Sequence, residues 1–573
     1  MRLDKLLRGK AMHDSFEMLY GTNRADHCMQ RLNSMSDRYG IDQLGKPPRV
    51  LTEADTLLIT YGDMVRDPAS ETHTPLRLLR LFFHEQLGDA FSMIHLLPFF
   101  PYSSDDGFSV LDYRVVDPAL GTWKEVTALS QEAELMFDFV LNHVSRGSTW
   151  FEDFVRGVAP YRDYFIAVNP QAALRNVTRP RDLPLLTPVS TAHGELHLWT
   201  TFSSDQIDLN YGNPDVLFDM LDVLFQYIVQ GASFIRMDAI AYLWKEIGTT
   251  CIHLPQTHQV VKLFRDIVDM IAPHVVLLTE TNVPHAENVS YFGEGDEARM
   301  VYQFALPPLL LHTLIAEEAG PLTDWAAALE APPPGCAFLN FTASHDGVGV
   351  RPLEGLLAPS QIQALLQHTE SQGGSTSYKK NSDGTKSAYE LNVTYYDALG
   401  KGAEDALQAD RFLCSQLIAM SLQGVPAVYF NSLLAAPNDH EGVKATGRAR
   451  SINRHKWTPD EILASLDHGG NPVFTRYVEA LRLRRGQPAF SPQSPQVVLS
   501  PAPGIFALLR GEPGDGAVLC IFNVTSRNRV LPSFSRIAPS LNAESAVDLL
   551  SGKTLSAGQS VRLAPFQARW LRV

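Results

Sequence analysis

Three acidic residues each stand at the end of an apolar run of the kind that forms a buried strand. Asp238 ends "FIRMD", Glu280 ends "LLTE" and Asp346 ends "FTASHD". Carboxylates that meet in one place repel one another, so they are seldom brought together without a task. A carboxylate pair can transfer a glycosyl group, since one attacks the anomeric carbon while the other, protonated, donates to the leaving oxygen. If the strand ends meet, the sequence indicates glycosyl transfer, with the third carboxylate holding sugar hydroxyls.

Each of these residues also has a purely structural explanation when it is taken alone. Asp238 would serve as a helix cap or as the buried partner of Arg236, and Asp346 would form a turn before Gly347. Three carboxylates at one site make these explanations weaker. Their mutual repulsion and desolvation destabilise the fold, and such clusters are found mainly at functional sites.

Eight apolar runs supply the elements that would position the three carboxylates. Strand-like runs that alternate with helical stretches predict βα units around a parallel sheet, and eight units predict an α/β fold of the (β/α)8 TIM barrel type. The active site of that fold lies at the carboxyl ends of the strands, where the acidic residues stand. The runs span 56–63, 92–100, 134–144, 232–240, 274–283, 300–307, 338–346 and 425–432.

The rest of the chain predicts three additions to this barrel, which itself takes residues 51–144 and 206–488. Residues 1–50 have helical spacing and predict a helical extension. Residues 145–205, rich in aromatic, Pro and Arg residues, predict a lobe inserted after the third strand. Short apolar runs between turns predict an antiparallel β-domain over 489–573.

Composition limits the classes of partner. The 573 residues carry a net charge of -15, which argues against general binding to nucleic acid or to anionic membranes. No run of about 18 apolar residues occurs, so no membrane span is expected. The five cysteines are scattered without metal-ligand spacing, and the amino terminus has no signal-peptide h-region. We expect a soluble cytoplasmic protein with no cofactor and no metal, whose oligomeric state the sequence leaves open.

Four segments carry a family resemblance. In chain order, "FDFVLNHV", "FIRMDAIAY", "LLTETN" and "FTASHD" resemble the four signature regions of the α-amylase superfamily of retaining α-glucosidases and transglycosidases. The resemblance implies that Asp238 is the nucleophile, Glu280 the general acid/base and Asp346 the transition-state stabiliser. It further implies that Arg236 steadies the charge of Asp238 and that the reaction is a double displacement with retention.

The same resemblance implies a role for two histidines. His143 and His345 are similar to histidines that bind hydroxyls of the glucosyl unit, although a lone histidine in a strand is more often a core residue. Many amylases hold a structural Ca²⁺ near the first of these regions, whereas the subfamily considered next generally does without it. Asn142 is therefore expected to support the site.

Further segments resemble the sucrose phosphorylase subfamily, among them "HLLPFFPYSSDDGFSVLDY", "TRPR", "QFALPPLLLH" and "NVTYYDALG". In that subfamily inorganic phosphate intercepts the glucosyl-enzyme and gives α-glucose 1-phosphate. The resemblance implies that Asp105 and Arg450 clamp the far hydroxyls of the donor glucose, with Phe108 as an apolar platform. It implies that Arg181 binds phosphate, for which a guanidinium offers two parallel donors. The alternative for Arg181 is a structural or surface arginine.

The acceptor side departs from the sucrose pattern in the loop "SYKKNSDGTKSAYEL". Tyr389 keeps the loop tyrosine of the subfamily, but Glu390 stands where sucrose-specific members carry Gln. Lys379, Lys380 and Lys386 add positive charge. These features resemble the glucosylglycerate phosphorylase branch, in which a lysine would pair with the glycerate carboxylate while Glu390 accepts from its hydroxyls.

Other functions stay open at this stage. Tyr242 and His253 are expected on the acceptor side. Sucrose, sucrose 6'-phosphate and glucosylglycerol stay open as alternative substrates. A phosphate-independent α-glucosidase or transglucosidase is another alternative, because water competes for the same intermediate. Non-catalytic members of the superfamily typically lack one or more of the three carboxylates, and all three are present here.

Overall fold

The structure is a computed structural model. It describes residues 2–41, 45–70, 72–380, 385–402, 405–466, 471–514 and 516–573, with backbone alone for residues 2–6 and 380.

Eight parallel strands close into a barrel, as the alternating pattern predicts, and each strand overlaps one of the eight predicted runs. The strands follow one another around the barrel in chain order. They are buried almost throughout, which explains why they are continuous apolar runs in the sequence. The strands are β1 (Leu57–Thr60), β2 (Met93–Leu96), β3 (Glu134–Val140), β4 (Ala232–Asp238), β5 (Val276–Thr279), β6 (Met300–Tyr302), β7 (Ala337–Phe341) and β8 (Val425–Tyr429).

Helices alternate with the barrel strands along the chain, and several begin at recognisable caps. Thr122 and Glu125 form a capping box, and the Asn213 side chain accepts from the Asp215 amide at 3.0 Å, with Pro214 in the first turn. The longer helices are Pro75–Phe82, Trp123–Leu129, Thr149–Arg156, Pro214–Val229, Pro255–Ile271, Leu306–Ala316, Gly320–Ala328, Pro359–Ser371, Gln408–Ser421 and Pro472–Arg485.

The amino-terminal segment forms two helices, α1 (Arg2–Tyr20) and α2 (Thr22–Tyr39), which pack on the barrel helices. The rings of Phe16 and Phe218 stack with centroids 5.9 Å apart. Arg31 pairs with Asp215 at 2.6 Å. The extension thus covers part of the outer barrel surface, and the residues that it contacts there lie about 200 positions later in the chain.

Two small antiparallel units stand above the barrel mouth. Between β3 and β4, the strands Leu186–Thr191 and Gly194–Trp199 pair as a hairpin. After β7, Ser375–Lys380 pairs with Lys386–Asn392, which also pairs with Val348–Gly349. The segment "SYKKNSDGTKSAYEL" of the sequence analysis therefore consists largely of two strands, while residues 381–384 lie outside the described residues.

The carboxyl-terminal region is an antiparallel β-structure with an apolar core of its own. No described helix combines the length and apolar character needed to cross a membrane. All five cysteines are buried thiols. The strands of this region are Gln496–Leu499, Ile505–Arg510, Val518–Asn523, Arg529–Ser533, Ser545–Asp548, Thr554–Ser556, Ser560–Leu563 and Ala568–Arg572.

Candidate active site

A cavity of about 670 Å³ opens at the carboxyl ends of the barrel strands and brings the three carboxylates together. Its size suits a small glucoside. Eleven of the residues predicted for the site line it: Asp105, Phe108, His143, Arg181, Asp238, Tyr242, Glu280, His345, Asp346, Tyr389 and Arg450.

The predicted nucleophile is held by charges on two adjacent strands. The parallel register places Asp138 of β3 beside Arg236 of β4. The Nη1 of Arg236 contacts Asp138 and donates to Oδ1 of Asp238 at 2.8 Å. His95 of β2 contacts the other oxygen of Asp138 at 2.7 Å. Because every member of this chain is buried, Arg236 keeps a fixed position and a fixed charge next to Asp238.

A turn after β4 links the nucleophile to the predicted acid. Ala239 has φ 51°, in the left-handed region that an alanine rarely adopts. This turn directs its amide to Oε2 of Glu280 at 3.1 Å. Strained backbone of this kind is found at functional sites, where the surrounding structure holds it in place.

Asp238 and Glu280 are buried carboxyls with raised pKa values. Burial raises the pKa of both to about 7, and Arg236 opposes the rise. The charges of Asp138 and Asp346 add to the rise at Asp238, and those of Asp238 and Asp346 add to it at Glu280. Arg236 donates a hydrogen bond directly to Asp238, which favours the ionised form of that carboxyl. Glycosyl transfer requires a pair in which one carboxyl is ionised and the other protonated.

The third carboxylate belongs to a cationic network. Burial would raise the pKa of Asp346, but Arg450 and Arg454 hold it well below its usual range. Arg450 contacts Asp346 directly, and Arg454 lies 3.7 Å from it. Asp346 therefore stays ionised.

One end of the cavity has an apolar floor and unpaired polar atoms. The rings of Phe108 and His345 stack 4.8 Å apart at 7°. Burial lowers the pKa of His345 to about 3, so its ring is neutral, and its buried Nδ1 has no partner. His143 binds the carbonyl of Phe108 through Nε2 at 2.9 Å. Asp105 lies here too, and Arg450 with Arg454 lowers its pKa against the effect of burial.

The predicted phosphate residue, Arg181, also lines the cavity. Arg181 lies over the ring of Tyr389, 5.8 Å from its centroid. The next residue, Asp182, pairs with Lys386 of the hairpin at 2.6 Å. Of the three loop lysines in the sequence prediction, Lys386 therefore bridges the hairpin to the inserted segment.

Four described residues predicted for the acceptor side, among them Lys386, are not among those that line the cavity. Glu390 is buried and binds Arg450 through both carboxylate oxygens. His253 binds Tyr291 and Glu287. Lys379 is half-buried on the hairpin, and the side chain of Lys380 lies outside the described residues.

The sequence reasoning missed several residues of the site. Asp138 stands inside the quoted segment "FDFVLNHV", so a charge within a buried run was the same signal that singled out Arg236. Gln206 and Phe202 line the cavity but lie in segments without a distinctive pattern, whereas Asn282, which also lines it, ends the quoted segment "LLTETN". The Oδ1 of Asn282 is buried without a partner, which makes it available to a ligand.

Asn142 supports the site through a buried ammonium group. Lys245 donates to Oδ1 of Asn142 at 2.7 Å and pairs with Asp208 at 2.7 Å. The ammonium group of Lys245 is thus the cation that contacts the side-chain oxygens of Asn142 and Asp208.

Comparison with known proteins places this architecture in a family. Residues 83–320 match the family model described as "Alpha amylase, catalytic domain". The protein is similar to the sucrose 6F-phosphate phosphorylase from Thermoanaerobacter thermosaccharolyticum, with a TM-score of 0.73 at 24% identity over 89% of this chain and 98% of that one. At this identity the likeness concerns the fold.

Sequence relatives are closer. The chain is 46% identical to the glucosylglycerate phosphorylase of Allomeiothermus silvanus over 91% of either chain. It is 43% identical to the glucosylglycerate phosphorylase of Spirochaeta thermophila over 98% of either chain. The chain therefore belongs to the glycoside phosphorylases of the α-amylase family.

Proposed function

We propose that this protein is a retaining α-glucoside phosphorylase. Its substrate is 2-O-(α-D-glucopyranosyl)-D-glycerate, which it cleaves with inorganic phosphate to α-D-glucose 1-phosphate and glycerate. The observation that carries the proposal is that Arg181 lines the same cavity as Asp238, Glu280 and Asp346. A hydrolase needs the carboxylates alone, whereas a phosphorylase must also hold an anion next to them. The names of the two sequence relatives support the choice of substrate.

The first half-reaction forms a glucosyl-enzyme. The ionised carboxylate of Asp238 attacks the anomeric carbon and forms an ester bond to it, while the bond from that carbon to the glycerate oxygen breaks. Glu280 gives its proton to that oxygen. Arg236 and Asp346 stabilise the charges that change between the ground state and the transition state.

The second half-reaction uses phosphate in place of water. A phosphate oxygen attacks the anomeric carbon, the ester bond to Asp238 breaks, and Glu280 takes a proton from the phosphate. Asp238 is an uncharged ester at this stage, so the phosphate meets the negative charges of Glu280 and Asp346. Arg181 would offset this repulsion, because a guanidinium can donate to two phosphate oxygens at once.

The donor end of the cavity would accept one glucosyl unit. Phe108 and His345 form a flat surface, and Asp105 and Arg450 stand where the far hydroxyls of the glucose would bind. Glu390 acts through Arg450 in this scheme. A cytoplasmic location forms part of the proposal, consistent with five unpaired buried thiols.

The test is release of glucose 1-phosphate from glucosylglycerate and from sucrose, each with and without phosphate. We expect phosphate-dependent release from glucosylglycerate and little from sucrose. Release from sucrose alone would retain the mechanism and contradict the proposed substrate. Free glucose formed at the same rate with or without phosphate would contradict phosphorolysis.

A further inference from the structure

A guanidinium outside the predicted site, that of Arg351, lies next to residues that line the cavity. The acceptor oxygen must face the carboxyl of Glu280, because that group protonates it. Burial raises the pKa of Tyr242, which lines the cavity, and the charges of Arg351, Glu280 and Arg181 also act on it. Arg351 is thus within electrostatic range of a cavity residue, although it is not itself among the lining residues and nothing in the sequence pattern singled it out.

The backbone fixes Arg351 next to two residues that line the cavity. The amide of Val350 donates to the carbonyl of Tyr389 at 3.0 Å. Gly349 packs so closely on Asn282 that a Cβ there would lie 2.6 Å from the amide nitrogen. Arg351 follows these two contacts at the start of a short 3-10 turn, Arg351–Leu353. The backbone on the amino-terminal side of Arg351 is thus held against Tyr389 and Asn282, which line the cavity.

The guanidinium of Arg351 has unused capacity for an anion. Its Nε is buried and has no hydrogen-bond partner. Among the residues that the structure describes, no carboxylate lies within 4.0 Å of its nitrogens. A buried donor without a partner costs roughly 1–3 kcal/mol, which a carboxylate ligand would recover.

We propose that Arg351 binds the carboxylate of the acceptor and so selects an anionic acceptor over a neutral one. The inference rests on the proposed function and assigns a residue that would recognise the glycerate leaving group. Lys379, one of the loop lysines proposed from the sequence for this role, lies close to Glu354 and Glu287, whose charges act on it together with that of Arg351. Arg181 remains the residue for phosphate, so the two anions have separate guanidinium groups.

The experiment runs the enzyme in the direction of synthesis, from glucose 1-phosphate. D-glycerate and glycerol are compared as acceptors because glycerol carries a neutral CH₂OH where glycerate carries the carboxylate. In Arg351→Ala we expect the KM for glycerate to rise roughly 10- to 100-fold, because the variant loses a charged hydrogen bond to the carboxylate. The KM values for glycerol and, in phosphorolysis, for phosphate should change less than about threefold, and Arg351→Lys should recover part of the loss.

Two further variants make the comparison specific. Arg146→Ala removes an exposed arginine and controls for the loss of surface charge. Lys379→Ala tests the competing lysine, and a glycerate-selective loss there rather than in Arg351→Ala would overturn the inference. Equal rises for glycerate, glycerol and phosphate in Arg351→Ala would also overturn it, since they would indicate a structural role.

The activity of the wild-type enzyme distinguishes failure of the proposed function from failure of the role of Arg351. A wild type that makes no glucosylglycerate overturns the proposed function. A wild type that makes it, together with an Arg351→Ala variant that binds glycerate equally well, overturns only the role of Arg351.

Discussion

Glu390 is bound by Arg450 at both of its carboxylate oxygens. Nε donates to Oε1 at 2.8 Å and Nη2 donates to Oε2 at 2.5 Å, while Nη1 of the same guanidinium contacts Asp346. One arginine thus joins the hairpin to the predicted transition-state stabiliser. Glu390, which the sequence resemblance sets against a Gln in sucrose-specific members, thus contacts the arginine predicted for the donor end of the cavity.

Replacing Glu390 with Gln tests this coupling. An amide can accept at only one oxygen, so Arg450 loses a charged hydrogen bond and its hold on Asp346 weakens. We expect kcat/KM to fall roughly 10- to 100-fold for glucose 1-phosphate with either glycerate or glycerol as acceptor. Glu354→Gln, at an exposed position before the hairpin, is the matched control. A loss confined to glycerate would instead mean that Glu390 contacts the acceptor directly.

Removal of the Arg181 side chain tests the phosphate site. Arg181→Ala should raise the KM for phosphate roughly 10- to 100-fold, because a bidentate charged contact is lost. The KM for the glucoside should change far less. The measurement is initial-rate phosphorolysis with each substrate varied in turn. Equal changes in both KM values would indicate that Arg181 holds the shape of the cavity and not the anion.

The pH dependence of the first half-reaction reports the proton on Glu280. Burial and the neighbouring carboxylates raise its pKa to about 7, so the acid form persists to that pH and is lost as the pH rises further. Above this pKa, kcat/KM for glucosylglycerate should fall roughly tenfold per pH unit.

A substrate that needs no acid gives the control for this profile. α-Glucosyl fluoride loses fluoride without protonation, so its rate of glucosylation should not fall on the alkaline side. If both substrates lose activity over the same alkaline range, the group that titrates is not acting as the acid on the leaving oxygen.

The barrel could be predicted from the sequence because its strands are buried on both faces. Each then appears as a continuous apolar run, and a charge inside or after such a run stands out. Arg236 and Asp238 were found in this way. Asp138 was not, although its run carries the same signal, because its importance depends on the register that places it beside Arg236.

The acceptor side could not be predicted because side-chain direction on the hairpin depends on its pairing. A one-residue shift in register turns every following side chain to the other face. The pairing here changes register between Ser377 and Tyr378, immediately before Lys379. Arg351 gave no signal, since its place beside Tyr389 comes from a contact between distant parts of the chain.

Exchange of labelled phosphate into glucose 1-phosphate, with no acceptor present, tests the central claim most directly. The claim is that phosphate and a glucosyl group on Asp238 interconvert in the cavity. The account predicts exchange by the wild type, none by Asp238→Asn, and exchange by Arg181→Ala only at higher phosphate concentration. A wild type that catalyses phosphorolysis but shows no exchange without an acceptor would contradict a glucosyl-enzyme and require direct displacement.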